Sequence, residues 1–235
     1  MEYLLNGIVA NLKKFKMLEL LIIKGEKMAE ELNQGMIMKT LDYCYEKAVN
    51  GLPGLETAED LADSYSKDEG SLVDQANSLI RWQIAKAGTS GFLTGLGGLI
   101  TLPIAIPANI TSVLYVQIRM VAAIAHLGGH DVKDDRVKSL VYACLCGSAI
   151  TDIIKDVGIQ IGTKLTTNAI KKISFETIKR INQAVGFRLI TKFGQTGSIN
   201  LVKAVPFLGG IVGGTVDSVS TNTIGNIAVK TFLNS

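Results

Sequence analysis

The sequence has little cysteine, proline, aromatic residue or charge. Its 235 residues include three cysteines and four prolines, which exclude a disulfide scaffold and a proline-rich chain. Charged residues make up 19% of the chain and hydrophobic residues 47%, so disorder is excluded as its general state. The net charge of +3 is too small to indicate a nucleic-acid-binding protein. The composition predicts a folded, unusually apolar domain.

The three cysteines do not form a recognisable metal site. Cys144 and Cys146 make a C-x-C pair, but the only other cysteine is Cys44 and the chain has two histidines. A structural zinc site needs four ligands at characteristic spacings. All three cysteines are therefore predicted to be buried free thiols, which fits a reducing cytoplasm. No metal and no other cofactor is expected.

Residues 1–27 do not have the pattern of a secretory signal. Lys13, Lys14 and Lys16 follow the first apolar stretch instead of preceding it, and no small-x-small cleavage site is present. Residues 24–27, directly before Met28, can be encoded by a purine-rich stretch that would resemble a bacterial ribosome-binding site. One hypothesis is that residues 1–27 are a leader-derived extension and that residues 28–235 form a single helical domain.

Every periodic segment of the sequence has the period of a helix. Apolar residues recur at three- and four-residue steps over 28–49, 71–86, 108–127 and 137–154, and a final helix is expected to open at Val205 and run to about Phe232. Thr57 and Ser71 each stand three residues before an aspartate, which is typical of a capping box at a helix start. No alternating strand pattern appears. The sequence therefore predicts an all-α fold, a single multi-helix bundle.

One long window has no charge. No charged residue occurs from Ala87 to Ile118, although glycines and the prolines Pro103 and Pro107 interrupt the run. A plain transmembrane helix needs about 20 continuous apolar residues, and proline breaks such a helix. Two interpretations stay open, the core of a soluble bundle and an apolar hairpin inserted in or lying on a membrane.

Glycines recur at four-residue spacing in two places. This spacing puts them on one helix face and lets a second backbone approach closely. Because each mid-helix glycine costs about 1 kcal/mol relative to alanine, the clusters predict compensating close packing, either in lipid or in a tight core crossing. A phosphate-binding loop is not indicated, since no P-loop lysine follows. The residues concerned are Gly91, Gly95, Gly209, Gly210, Gly213 and Gly214.

Residues 155–203 are rich in basic side chains. These recur at seven to eight residues, so an unbroken helix would place them on one side. Such a face suits anionic lipid headgroups or a partner protein, and it equally suits a solvated face that balances the acidic 54–74 segment. Nucleic acid is not expected, because few aromatic residues lie between the cations. The cations chosen as a contact surface are Lys164, Lys171, Lys172, Lys179 and Arg180.

The acidic and histidine residues give no catalytic constellation. His126 and His130 are four apart, but two glycines lie between them and no H-E-x-x-H pattern is present. Asp131 stands at a helix start, where it can act as the cap. Asp152 and Asp217 are the other carboxylates considered for acid–base chemistry. No catalytic residue is assigned.

Several segments together resemble the EcsC protein family in order and spacing. They include Leu102–Pro107, the helix around Arg119, the Gly129-His130-Asp131 turn, and Val205–Asp217 with its repeated Gly-Gly pairs. The similarity covers roughly residues 70–233. Its motif positions are Pro103, Pro107, Gly129, His130, Asp131, Pro206 and Asp217.

The resemblance implies a bacterial, mostly helical protein, and the founding member of the family is encoded beside an ABC transporter. The family brings no catalytic residues with it. We therefore expect a non-enzymatic protein at the cytoplasmic membrane surface, which contacts anionic lipid or serves a membrane transporter. The alternatives are a soluble helical interaction module and an uncharacterised hydrolase with clustered carboxylates.

Overall fold

A computed structural model describes residues 33–87, 108–159, 166–203 and 209–233; side chains are left out at 86–87, 108–109, 193–203 and 209–218. Within these ranges the chain forms nine α-helices, a short 3-10 helix over Gly147–Ala149 and no strand, which confirms the all-α prediction. The helices are α1 Gln34–Asn50, α2 Ala58–Ser66, α3 Leu72–Ala87, α4 Ala108–Leu127, α5 Asp135–Cys144, α6 Ile150–Asp156, α7 Thr167–Lys171, α8 Phe175–Lys203 and α9 Gly209–Phe232.

Side-chain caps set several helix starts. Thr57 and Asp60 form a reciprocal capping box at α2. At α3 the Ser71 backbone N–H donates to Asp74 Oδ2 over 3.0 Å, and the Asp74 backbone N–H donates to Ser71 Oγ over 3.3 Å. Both predicted capping boxes are confirmed. They satisfy amide groups that the helix itself leaves without partners.

Helix α4 is the centre of the bundle. It packs against α1, α2, α3, α5 and α9, and every residue from Leu114 to Ala125 is buried. The window Ile110–Leu127 is long and apolar enough to cross a membrane, and 78% of it is buried inside the protein. A core helix passes the same test of length and composition. The part of the uncharged window that belongs to α4 is thus enclosed by other helices, and residues 88–107 lie outside the described residues.

Paired contacts show which helices run in the direction of α4. Helices α2 and α9 run parallel to it, because their contacts occur in the same order along both partners. For α2 the pairs are Glu56 with Arg119 and Asp63 with His126. For α9 they are Thr221 with Gln117 and Phe232 with His130.

Helices α3 and α8 run the opposite way. Gln83 contacts Arg119 of α4, and Ile80 packs on Gly225 of α9. The order of these contacts makes α3 antiparallel to α4 and α9. Ile173, just before α8, accepts a hydrogen bond from Arg136 at the start of α5, and Lys192 farther along contacts Ser220 of α9. These contacts make α8 antiparallel to α9.

The helix directions define two ends of the bundle. The charged end holds the α2–α3 turn, the Gly128–Asp131 turn, the α7–α8 junction and the C-terminus of α9. The apolar end holds the C-termini of α3 and α8 and the N-termini of α4 and α9. The apolar end is so named because residues 87–118 and 204–216 carry no charged side chain. Both stretches join the described helices at this end.

Gly225 of α9 shows how closely α9 packs on α3. A Cβ on Gly225 would lie 2.7 Å from Cγ1 of Ile80 in α3, which is closer than carbon atoms can approach. The glycine therefore permits the α3–α9 crossing. The predicted glycines at 209, 210, 213 and 214 belong to α9 but have no described packing, and Gly91 and Gly95 lie outside the described residues.

Candidate basic surface and adjoining groove

The α7–α8 junction carries most of the predicted basic surface. An unbroken helix would have placed these cations on one side, but the helix is broken here: α7 ends at Lys171 and α8 begins at Phe175. Ser174 starts the new helix by accepting a hydrogen bond from the Thr177 backbone N–H over 3.1 Å. Ile173 is buried, and its carbonyl accepts from Arg136 Nε over 3.0 Å. The helix breaks here because Ile173, between α7 and α8, is hydrogen-bonded to α5.

The cations at the junction are exposed. Lys171, Lys172 and Lys179 point into solvent, and no described carboxylate lies within ion-pair distance of them. Arg180 is exposed and donates to the carbonyl of Asp156 over 2.9 Å. Phe175 stands among them with 78% of its surface exposed. We call these five residues the basic surface; Lys164, the remaining predicted cation, lies outside the described residues.

A groove of about 530 Å³ adjoins the basic surface and runs between α1, α5 and α8. Its rim includes Phe175 and Lys179, and Met38 and Ile178 supply apolar lining. The side-chain oxygen of Asn182 is buried in its wall without a hydrogen-bond partner among the described residues. The groove combines apolar lining with a few polar atoms, as many binding sites do.

A charged cluster separates this groove from a second one of about 600 Å³. Lys138 Nζ lies 2.7 Å from Asp42 Oδ1, and the Tyr142 hydroxyl donates to the same oxygen over 2.9 Å. Burial is the main reason that the pKa of Tyr142 is raised above its usual range, and nearby Asp42 adds to it. Tyr142 therefore stays protonated at neutral pH, and the cluster functions as a link between α1 and α5.

The Gly129-His130-Asp131 turn attaches the end of α9 to α4. His130 is 3% exposed, and its Nε2 donates to the Phe232 carbonyl over 3.2 Å. Asp131 accepts from the Lys133 backbone N–H over 2.8 Å. The cap of α5 is Asp134, not Asp131 as predicted, because the chain makes one more turn before the helix begins. The motif residues His130 and Asp131 therefore stabilise the turn and its attachment to α9.

The cysteines have the environment of inert thiols. Cys44 and Cys144 are buried, Cys146 is half-buried, and none is in a disulfide. Burial raises the pKa of each thiol to about 12. Because the thiolate is the reactive form, none of them is activated for nucleophilic chemistry.

The carboxylates considered for acid–base chemistry do not meet in the described part of the chain. Asp131 belongs to the turn after α4, and Asp152 of α6 lies 3.7 Å from Arg188 in an exposed ion pair. Neither lines the two grooves. The side chain of Asp217 is not described. Within the described ranges no three His, Cys, Asp or Glu residues gather as metal ligands do.

The most unusual buried group was not singled out from the sequence. Arg119 is 2% exposed, in the middle of the core. It donates to the Glu56 carbonyl over 3.3 Å and to Gln83 Oε1 over 3.2 Å, with no described carboxylate in ion-pair distance. A lone arginine in an apolar helix was the available signal. Its contacts connect α4 to the start of α2 and to α3.

Three of the predicted motif positions lie outside the described residues: Pro103, Pro107 and Pro206.

The sequence did not indicate several residues of the site, namely Phe175, the Asp42–Lys138 pair and Asn182. The spacing between Asp42 and Lys138 in the chain explains the miss, because only the packing of α1 on α5 brings them together.

The described fold and surface define a class of protein: a helical bundle with a central apolar helix and an exposed basic surface at one end. A model of the EcsC protein family matches residues 15–233, and the chain belongs to this family. The match extends beyond residues 70–233, the region in which the sequence motifs resemble the family. No curated protein and no solved structure matches the chain.

Proposed function

We propose that this EcsC-family protein acts at the cytoplasmic surface of a bacterial membrane by contacting anionic lipid through the basic surface. The observation that carries the proposal is the exposure of Lys171, Lys172 and Lys179 around an exposed Phe175. Each lysine or arginine near an anionic membrane contributes about 1 kcal/mol of binding free energy. An aromatic side chain beside them supplies apolar contact with the interface.

The local structure supports this role in two ways. The three lysines have no described carboxylate in ion-pair distance, so their charge is available to a partner. The buried residues Ile170, Ile173 and Ile178 fix the junction to the bundle. The cations are therefore presented by a rigid surface, which reduces the entropy lost on binding.

Flotation with lipid vesicles tests the proposal. The wild-type protein is expected to float with vesicles that contain phosphatidylglycerol at low salt and to float less as salt is raised, because salt screens the charges. The K171E/K172E variant is expected to bind at least about tenfold more weakly. Failure of the wild type to float at low salt would overturn direct lipid contact.

The matched control is K39E/K67E. Both lysines are exposed, and the double substitution changes the net charge by the same amount as K171E/K172E but at positions outside the basic surface. Equal loss of binding in the two variants would contradict a specific surface and indicate a general effect of net charge. The hydrolase alternative is not proposed, because Asp131 and Asp152 line neither groove.

A further inference from the structure

The core of the bundle contains a positive charge that pairs with no described carboxylate. Arg119 is the only Asp, Glu, Lys or Arg residue of α4, and it is 2% exposed. No carboxylate of the described ranges lies within ion-pair distance of it. A guanidinium group stays charged inside a protein, and a buried charge without a counter-charge is strongly destabilising. The environment of Arg119 therefore favours the binding of a negative group.

The described partners of Arg119 are all neutral. Its Nη1 donates to the backbone carbonyl of Glu56 over 3.3 Å, and its Nη2 donates to Gln83 Oε1 over 3.2 Å. The ring of Tyr115, one turn earlier in α4, has its centroid 5.7 Å from the Arg119 Cζ. The Glu56 side chain is exposed, so its carboxylate remains in solvent. These groups accept hydrogen bonds or offer a π face, but none supplies a negative charge in the core.

Three buried polar atoms of this network have no hydrogen-bond partner among the described residues. They are Arg119 Nε, Gln83 Nε2 and the Tyr115 hydroxyl oxygen. Gln83 and Tyr115 are 0% exposed, so all three side chains are enclosed by the bundle. Most buried polar side-chain atoms in proteins have a partner. Three unpartnered atoms in contacting residues therefore indicate a binding site.

All three of these groups can donate a hydrogen bond. Arg119 Nε carries a hydrogen in the charged guanidinium. The Gln83 amide has a fixed orientation because its oxygen accepts from Arg119, which leaves the amide nitrogen as the remaining donor. Burial raises the pKa of Tyr115, and the nearby charge of Arg119 opposes this only in part, so the hydroxyl keeps its proton at neutral pH. A group that binds here must accept hydrogen bonds.

We propose that Arg119, Gln83 and Tyr115 form a buried binding site for a small monovalent anion such as chloride. Water would accept the same hydrogen bonds, but it would leave the guanidinium charge uncompensated among apolar side chains. A single-atom anion supplies the acceptor and the negative charge together. The three donor atoms are almost inaccessible in the described packing. This excludes phosphate and larger anions, and it requires α3 to separate locally from α4 as the anion enters.

The anion connects two helices of the core. Gln83 belongs to α3, and Arg119 and Tyr115 belong to α4. Because only the folded protein holds these donors together, anion binding stabilises the folded state by mass action. The proposal does not depend on membrane contact, since none of the three residues belongs to the basic surface.

Thermal unfolding tests the proposal. Wild-type protein is unfolded in potassium gluconate and in mixtures in which chloride replaces gluconate at constant ionic strength, because gluconate is too large for a buried site. The Tm is expected to rise by about 3 to 6 °C when the chloride concentration reaches about ten times its Kd. An equal Tm at every chloride concentration would overturn the proposal.

A pair of matched variants tests the location. Gln83→Glu places a carboxylate beside Arg119 and is expected to abolish the chloride dependence of the Tm, because the protein then supplies the negative charge itself. Gln183→Glu is the control, since it makes the same chemical change at an exposed position of α8 and should keep the wild-type shift. If Gln83→Glu keeps the shift, or if both variants lose it, the anion does not bind at Arg119. Circular dichroism confirms that both variants keep their helices.

Bromide locates the site directly and needs no variant. Crystals grown in sodium bromide are expected to show an anomalous peak in hydrogen-bond contact with Arg119 Nε and Gln83 Nε2. A peak there without a chloride-dependent Tm would indicate an adventitious ion only, and a chloride-dependent Tm without that peak would indicate another site. Either result would overturn the proposal. Flotation tests the proposed function separately, and none of these results changes it.

Discussion

The charged end and the middle of this bundle are held together by different interactions. At the charged end, side chains cap helices and join elements: Ser71 caps α3, Ser174 caps α8, and His130 connects the turn after α4 to the end of α9. Midway along the bundle, α3 and α9 meet through the close approach of Ile80 to Gly225. Directional hydrogen bonds fix the first region, together with a close backbone approach at Gly128, and steric fit fixes the second.

The comparison also changes how the hydropathy of the sequence is interpreted. A basic stretch and an uncharged window together indicate a membrane-binding protein, and the simplest picture is one surface with both properties. The helix directions place the basic surface at one end of the bundle and the helix ends that border the uncharged residues at the other. Contact of one end with a flat membrane therefore does not require contact of the other.

The largest expected effect on the free energy of unfolding comes from adding a methyl group at Gly128, at the charged end. A Cβ on Gly128 would lie 2.6 Å from the Phe232 carbonyl oxygen, a backbone atom that cannot rotate away. Gly128→Ala should destabilise the protein by about 3 kcal/mol, the upper part of the range for overpacking. Urea unfolding followed by circular dichroism measures this change.

The control for Gly128 is another glycine. Gly35 is exposed in the first turn of α1, and Gly35→Ala should leave the free energy of unfolding nearly unchanged or raise it, since alanine favours a helix. If the two alanine variants are equally stable, the turn does not attach α9 to α4 as closely as described.

A smaller effect is expected from the steric fit of α3 on α9. Gly225→Ala should cost about 1 to 2 kcal/mol, because the new methyl group meets a β-branched side chain that has little freedom to move. In the Ile80→Ala background the same change should cost nothing or stabilise the helix. A double-mutant cycle in urea measures the coupling, and additive effects would show that the two residues are not in tight contact.

How far the sequence determines these features depends on the range of the interactions. The bounds of α4 were predicted correctly, because prolines before it and glycines after it act locally. The break before Phe175 was missed, since it depends on Arg136 of α5 contacting the carbonyl of Ile173. The groove was missed for the same reason, because its walls come from three helices that are distant in sequence.

The candidate site was predicted in part. Lys171, Lys172, Lys179 and Arg180 could be selected from charge and spacing alone, and the structure leaves them exposed. Phe175 could not, since an isolated aromatic residue in a helical pattern is more often in a core. That the basic and uncharged regions occupy opposite ends follows only from the order of contacts along α4, α8 and α9.

The smallest expected effect concerns the cap of α3 at the charged end and depends on pH. The pKa of Asp74 is lowered, first by the hydrogen bond from the Ser71 hydroxyl and then by the Ser71 backbone N–H. Ser71→Ala removes the hydroxyl and should cost about 1 kcal/mol at neutral pH, as loss of an N-cap does. Ser66→Ala is the control, because the Ser66 hydroxyl donates only to the Asp63 carbonyl in α2.

The sign of the pH dependence follows from the lowered pKa. A carboxyl group whose pKa is lower in the folded than in the unfolded state adds stability above its unfolded pKa of about 3.9 and loses it as the pH falls through the folded value. The difference in stability between wild type and Ser71→Ala should therefore stay constant from neutral pH to about pH 5 and shrink below about pH 4. Urea midpoints at several pH values measure it. A difference that persists unchanged in acid would mean that the serine caps α3 without help from ionised Asp74, and the hydrogen bonds of the charged end would then depend on neutral caps alone.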